Sequence, residues 1–275
     1  MTQVLACLQG PATTPIVCDY AVWASSRIKA PLAFLEVPDQ RCSALRASAD
    51  RSTRQNLLRR VAECLVRQYE PHPCSTATRP RGVLASANDR VAHCGAGKPQ
   101  ALPCDDDPLH SLMKLKEEIR LLVISHVDPI SLQLENVVRK MRKPILLPPD
   151  VFSAPKSVML AFGGSAATGR AIEMLATSLL FKGLPMHLVM VGEATGDACK
   201  LIDTAGATLS AAHFAVQTAI RSGEVEPALH AYQTEHGVDL LVMGAFGGSP
   251  LRRFLVGSTT RRLLRTATTP VLLLS

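Results

Sequence analysis

Apolar residues along this chain fall into short unbroken runs, and between the runs they recur every three or four positions. The runs include Val4-Leu5-Ala6-Cys7-Leu8, Leu121-Leu122-Val123-Ile124, Val158-Met159-Leu160-Ala161-Phe162, Leu240-Leu241-Val242-Met243 and Val271-Leu272-Leu273. Runs this short, without polar alternation, suit parallel strands covered on both faces. Between them, Val17, Tyr20, Ala21 and Ala24 form an i, i+3, i+4, i+7 stripe, as do Ala171, Met174, Leu175 and Ser178. That spacing places one apolar face on an α-helix. Strands alternating with helices predict right-handed βαβ crossovers and an open sheet.

The chain also repeats itself. Val4-Leu5-Ala6-Cys7-Leu8-Gln9-Gly10 aligns with Val158-Met159-Leu160-Ala161-Phe162-Gly163-Gly164, and Pro31-Leu32-Ala33-Phe34-Leu35 aligns with Pro185-Met186-His187-Leu188-Val189 at the same offset. Further on, Arg120-Leu121-Leu122-Val123-Ile124 matches Asp239-Leu240-Leu241-Val242-Met243, and Lys143-Pro144-Ile145-Leu146-Leu147 matches Thr269-Pro270-Val271-Leu272-Leu273, at a shorter offset. A duplication with extra residues in the first copy accounts for both offsets. The fold class expected is α/β: a tandem repeat of two open, parallel, five-stranded, Rossmann-like sheets of strand order 3-2-1-4-5, flanked by helices. The third strand of the second copy is expected at residues 213–220. A helix follows at residues 224–236, with Gly237 as its C-terminal stop. The domains divide as 1–150 and 151–275, at the proline-rich stretch 148–155.

Residues 40–107 interrupt the first copy. They hold five of the eight cysteines and the run Pro71-His72-Pro73-Cys74. A helix is expected over residues 52–69, with Leu57, Leu58, Val61, Cys64 and Leu65 on one side. Residues 70–107 show neither period, as expected of a flexible insertion or of a local shift in reading frame.

Ligands of an open parallel sheet bind beyond the carboxyl ends of the strands where the strand order reverses. In the second copy the loops at that point follow residues 158–162 and 240–243. The second loop carries Gly244, Gly247, Gly257 and Ser258 in the spacing G-x₂-G-x₉-G-S, with Thr259 next. Glycines let backbone N–H groups approach an anion, and a helix starting after Gly257-Ser258 offers unpaired N–H groups and hydroxyls to a phosphate. Arg261, Arg262 and Arg265 add positive charge nearby. The first loop, Gly164-Ser165-Ala166-Ala167-Thr168-Gly169-Arg170, lacks the Gly-Lys-[Ser/Thr] ending of a P-loop. In it, Ser165 or Thr168 is expected to cap the following helix.

This spacing, between one strand and a last Pro-Val-Leu-Leu-Leu strand, resembles the ATP-binding signature of the universal stress protein family. The resemblance covers residues 155–275, and more weakly 1–37 and 108–148. It implies ATP as ligand, with Mg²⁺ as an accompanying ion. Gly244, Gly247, Gly257, Ser258 and Thr259 would hold phosphate and ribose, and Met243 would line the pocket. It also implies a stress-response role, and packing of the last strands, Ile145-Leu146-Leu147 and Val271-Leu272-Leu273-Leu274, in an intramolecular pseudo-dimer or a homodimer. One departure stands out: the family's first-strand Asp is replaced by Gly163, and by Gln9 in the first copy. No glycine occurs from Lys98 through Phe162, so the first copy cannot build the cradle. An interaction module of the same fold without nucleotide is the alternative. No catalytic residue is identified, because Asp239 lies at the far end of its strand and Glu193 and Asp203 lack partners for chemistry. At most, slow ATP hydrolysis is expected.

Composition narrows the remaining classes. The 47% hydrophobic content supports a packed core, and at 4% aromatic residues that core is aliphatic. The net charge of +7 comes without the aromatic-interleaved basic stretches that stack bases, so nucleic-acid binding is not expected. The cysteines contain no C-x-x-C pair and the histidines no H-E-x-x-H, so no metal site is expected. No apolar run is long enough for a membrane span, and no basic region precedes an apolar leader, so a cytoplasmic location is expected.

Overall fold

The computed structural model describes residues 2–8, 14–37, 100–102, 104–105, 107–125, 134–164, 166–244 and 267–274. The helix expected over residues 52–69 lies outside them, as does nearly all of the insert. The chain forms two compact units, Met1–Leu132 and Gln133–Ser275.

In the first unit the described elements are β1 (Gln3–Leu8), α1 (Thr14–Ile28), β2 (Leu32–Glu36), β3 (Gln100–Leu102), α2 (Pro108–Leu115), a 3₁₀ turn (Lys116–Glu118) and β4 (Ile119–Ile124). The strands are parallel in the order β3-β2-β1-β4. Every residue of β1 is buried, as a central strand covered on both faces requires. The α1 stripe of Val17, Tyr20, Ala21 and Ala24 is buried. The turn out of α1 is held by Ser25, whose Oγ donates to the Ala30 carbonyl at 2.6 Å. At the start of α2 the Asp107 carboxylate accepts from Leu109 N–H at 2.9 Å, and Pro108 fills the first turn, where its missing N–H costs nothing.

The second unit holds α3 (Leu134–Met141), β5 (Ile145–Leu147), β6 (Val158–Ala161), α4 (Ala166–Thr177), a 3₁₀ turn (Leu179–Phe181), β7 (Met186–Val191), α5 (Gly196–Ala211), β8 (Val216–Arg221), α6 (Val225–His236), β9 (Leu241–Gly244) and β10 (Val271–Leu274). The strand order is β5-β10-β9-β6-β7-β8. Within it β8-β7-β6-β9-β10 is the doubly wound order 3-2-1-4-5, all parallel. β5 adds antiparallel to β10, pairing Leu147 with Val271, Leu146 with Leu272 and Ile145 with Leu273. The two last strands of the sequence repeat thus cover each other's ladder groups, which removes one apolar edge from β10. The break between the units falls at Leu132, upstream of the proline-rich stretch at 148–155.

The third strand of the second copy starts at Val216, three residues later than its apolar pattern indicates. His213 takes a left-handed φ of +66°, and the N–H groups of His213 and Phe214 donate to the carbonyls of Ser210 and Leu209. Closing α5 therefore occupies these residues before the strand begins. At the end of α6, Gly237 adopts a φ of +59° as the sequence pattern indicates. No described helix is long and apolar enough to cross a membrane.

Candidate functional site

The strand order of the second unit reverses at β6. One crossover leaves it toward β7, and the chain later returns to its other side as β9. Ala161 of β6 pairs with Met243 of β9, so the carboxyl ends of these two strands lie side by side. This point is where the sequence pattern places a ligand.

Five residues flanking it are described. Met243 is buried to 2% exposure, with its backbone paired to Ala161 and Leu273, so it forms the floor of the strand ends. Gly244 ends β9, is half-buried, and does not use the left-handed φ open to glycine. A Cβ built on it would meet nothing within 4 Å among the described residues. On the β6 side, Phe162 N–H donates to the Val189 carbonyl at 2.8 Å, which holds the start of the turn against β7. Gly163 follows at the position of the family's carboxylate, and then Gly164 at φ +67°. Gly247, Gly257, Ser258 and Thr259 lie outside the described residues, as do Ser165 and the three arginines after the loop.

Gly164 is required by its backbone. A Cβ there would meet Leu201 Cδ2 at 2.6 Å, with Met190 Cε at 3.9 Å. Leu201 is 42% exposed, so its side-chain tip can swing away cheaply, and the left-handed backbone is the larger cost. Gly164→Ala is expected to destabilise the protein by about 1–2 kcal/mol, read as a lower urea midpoint at unchanged slope. A midpoint equal to that of the unaltered chain would contradict the strained turn.

The carboxylates considered for chemistry sit elsewhere. Asp239 lies at the amino end of β9, where its carboxylate accepts from Lys156 N–H at 3.0 Å and Ser157 Oγ at 3.2 Å. Its own N–H donates back to Ser157 Oγ at 3.0 Å. This reciprocal clasp ties the entries of β6 and β9 together and is structural. Glu193 and Asp203 are exposed. Among the described residues no group of three or more His, Cys, Asp or Glu side chains is placed to hold a metal ion, and no disulfide occurs.

Sequence reasoning misses two titratable features. In the first unit, Asp19 of α1 is 5% exposed, and burial pushes its carboxyl up to about 6. Burial also pushes the Cys7 thiol of β1 far up, with Cys104 adding to the effect. In the second unit, His187 of β7 meets Tyr232 and His236 of α6, with Arg221 of β8 alongside. A histidine inside an apolar run, and Tyr and His four apart on a helix, are the signals that point to this cluster.

The doubly wound sheet, with glycines at the carboxyl ends of its first and fourth strands, defines a Rossmann-like α/β protein. The model of the universal stress protein family matches residues 191–275. The universal stress protein Slr1230 of Synechocystis sp. is 28% identical over 290 residues, covering 99% of each chain. Among solved structures, a universal stress protein from Archaeoglobus fulgidus superposes with a TM-score of 0.64 at 15% identity, over 99% of this chain and 96% of that one. A putative universal stress protein from Pseudomonas aeruginosa gives 0.61 at 12% identity, over 100% and 93%. Residues 191–275 thus match the universal stress protein family, and the whole chain is similar in sequence to one such protein and in fold to others.

Proposed function

We propose that the second unit binds ATP beyond the carboxyl ends of β6 and β9, and that this binding serves a stress-response role. The observation that carries this reading is the position of Gly244. It closes β9 at the strand-order reversal, has no described residue within 4 Å of where a Cβ would stand, and begins the spacing that leads to Gly247, Gly257 and Ser258. The sequence pattern offers an anion there backbone N–H groups and a helix expected to start after Ser258, the arrangement that favours phosphate. Gly244, Gly247, Gly257, Ser258 and Thr259 are the proposed phosphate and ribose contacts, with Met243 beneath them and Mg²⁺ as the accompanying ion.

A second reading keeps the fold and drops the nucleotide, leaving an interaction module. Gly163 favours it, because a carboxylate that would fix one end of a nucleoside is missing there. Calorimetric titration of the full chain with ATP and Mg²⁺ separates the two. Saturable binding is expected, weakened at least tenfold by Gly247→Val and several-fold by Ser258→Ala. Gly163→Asp is expected to tighten it. A folded chain that takes up no heat with ATP at millimolar concentration would favour the interaction module. Hydrolysis is not part of the proposal, since no described carboxylate other than the clasped Asp239 lies on these two strands.

A further inference from the structure

His187 is the second residue of the apolar strand β7, on the face covered by α6, and its surroundings are built for the neutral ring. Its Nδ1 is 3.0 Å from the Tyr232 hydroxyl. The Tyr232 ring, 1% exposed, stacks on the ring of His236 at 4.1 Å between centroids, and the His187 and His236 rings are 5.6 Å apart. From β8, the Arg221 guanidinium lies 5.0 Å over the Tyr232 ring and donates to Glu235 Oε2 at 2.7 Å. Its contact with His236 Nε2 is longer, at 3.4 Å. From the strand on the other side, β6 presents only Met159 opposite His187. Further along α6, His230 buries an Nε2 without a hydrogen-bond partner.

Counting charge decides which ring matters. Arg221 and Glu235 cancel near neutrality. A proton on His236 would still have Glu235 Oε1 at 3.5 Å. A proton on His187 would have no carboxylate paired with it among the described residues, since Glu235 is engaged by Arg221 and His236, and it would compel Nδ1 to donate to Tyr232, beside an existing cation. We infer that His187 is an acid-sensitive latch, and that its protonation loosens α6 from β7 and β8. Burial first, and His236 second, hold the His187 ring below the ordinary imidazole value of 6.5. The folded chain therefore binds this proton less readily than the unfolded chain. Stability at the latch is fully present above about pH 6.5 and falls as the pH drops below it. Because α6 runs through Gly237 into β9, the loosened element is the one that leads to Met243 and Gly244. The latch stands on its own geometry and does not depend on nucleotide binding.

The test is amide hydrogen exchange of residues 225–236 in the full chain at pH 7.5 and pH 5.5, with rates corrected for their intrinsic pH dependence. Protection in the unaltered chain is expected to fall about three- to tenfold at the lower pH. In His187→Gln, which can still meet the Tyr232 hydroxyl but cannot charge, that fall should disappear. An NMR titration of the His187 ring in the unaltered chain should give a midpoint below 6.5, a reading that stands even if the variant folds poorly. Unchanged protection between the two pH values, a fall that persists in His187→Gln, or a midpoint at or above 6.5 would each overturn the latch.

Discussion

Leu272→Asp is expected to abolish the cooperative unfolding of the second unit. Leu272 lies on β10 between Leu146 of β5 and Val242 of β9, and is 1% exposed. Truncation to Ala would remove packing alone, at about 2–5 kcal/mol. Aspartate adds an unpaired carboxylate with no cation or donor beside it in either ladder. Burying such a charge costs several kcal/mol more, on top of the lost packing. The sum reaches the whole stability of an ordinary domain, about 5–15 kcal/mol. Loss of the sigmoidal thermal transition, with elution as an aggregate, is the expected result. Val151→Asp is the control: Val151 is 74% exposed, and a change within about 0.5 kcal/mol is expected there. If Leu272→Asp melts with the same transition as the unaltered chain, the β5–β10 pairing does not cover β10.

That pairing was readable from the residues because it follows from pattern. Two short apolar strands after a proline, one at the end of each repeat, each need a neighbour. The 3-2-1-4-5 order was readable for the same reason, since βαβ handedness leaves few ways to stack parallel runs such as Val158-Met159-Leu160-Ala161 and Leu241-Val242-Met243. Two features follow from geometry that periodicity does not encode. Phe214 is apolar at strand spacing, yet it is spent on closing α5, because a helix C-cap and a strand start compete for the same apolar residue. The division between the compact units falls at Leu132, where composition gives no signal.

The candidate site divides along similar lines. Gly244 and its spacing are visible in the sequence, since only residue types and intervals are needed. The reason for Gly164 is not, because it depends on a φ of +67° and on Leu201 arriving from α5. Nor could Asp239 be read as a clasp, since its partners Lys156 and Ser157 are distant in the chain and come together only where β6 and β9 begin. The residues proposed to bind are thus announced by the sequence, whereas those that hold strand ends in register are revealed by packing.

The largest effect near the latch is expected from Tyr232. Its ring is 1% exposed, stacks on His236, lies under the Arg221 guanidinium, and carries the hydroxyl that meets His187. Tyr232→Phe keeps the ring and removes one hydrogen bond, leaving His187 Nδ1 without its partner. About 1–2 kcal/mol should be lost, because an unsatisfied half-buried nitrogen costs more than a typical net hydrogen bond contributes. Tyr232→Ala removes the ring as well and opens a cavity between α6 and β7, at about 3–5 kcal/mol. Urea unfolding should show both losses as lower midpoints, with the Ala variant at least twice as far displaced as the Phe variant. Equal displacements would mean that the hydroxyl, and not the stacked ring, holds α6 in place. Burial raises the Tyr232 phenol above its ordinary value, and Arg221 and Glu235 act on it in opposite directions, so the hydroxyl stays protonated across the range where the latch responds. The difference between the two variants is therefore expected to be the same at pH 7.5 and at pH 9. A gap that narrowed over that interval would show the phenol ionising, and would remove it as the fixed partner against which His187 is held neutral.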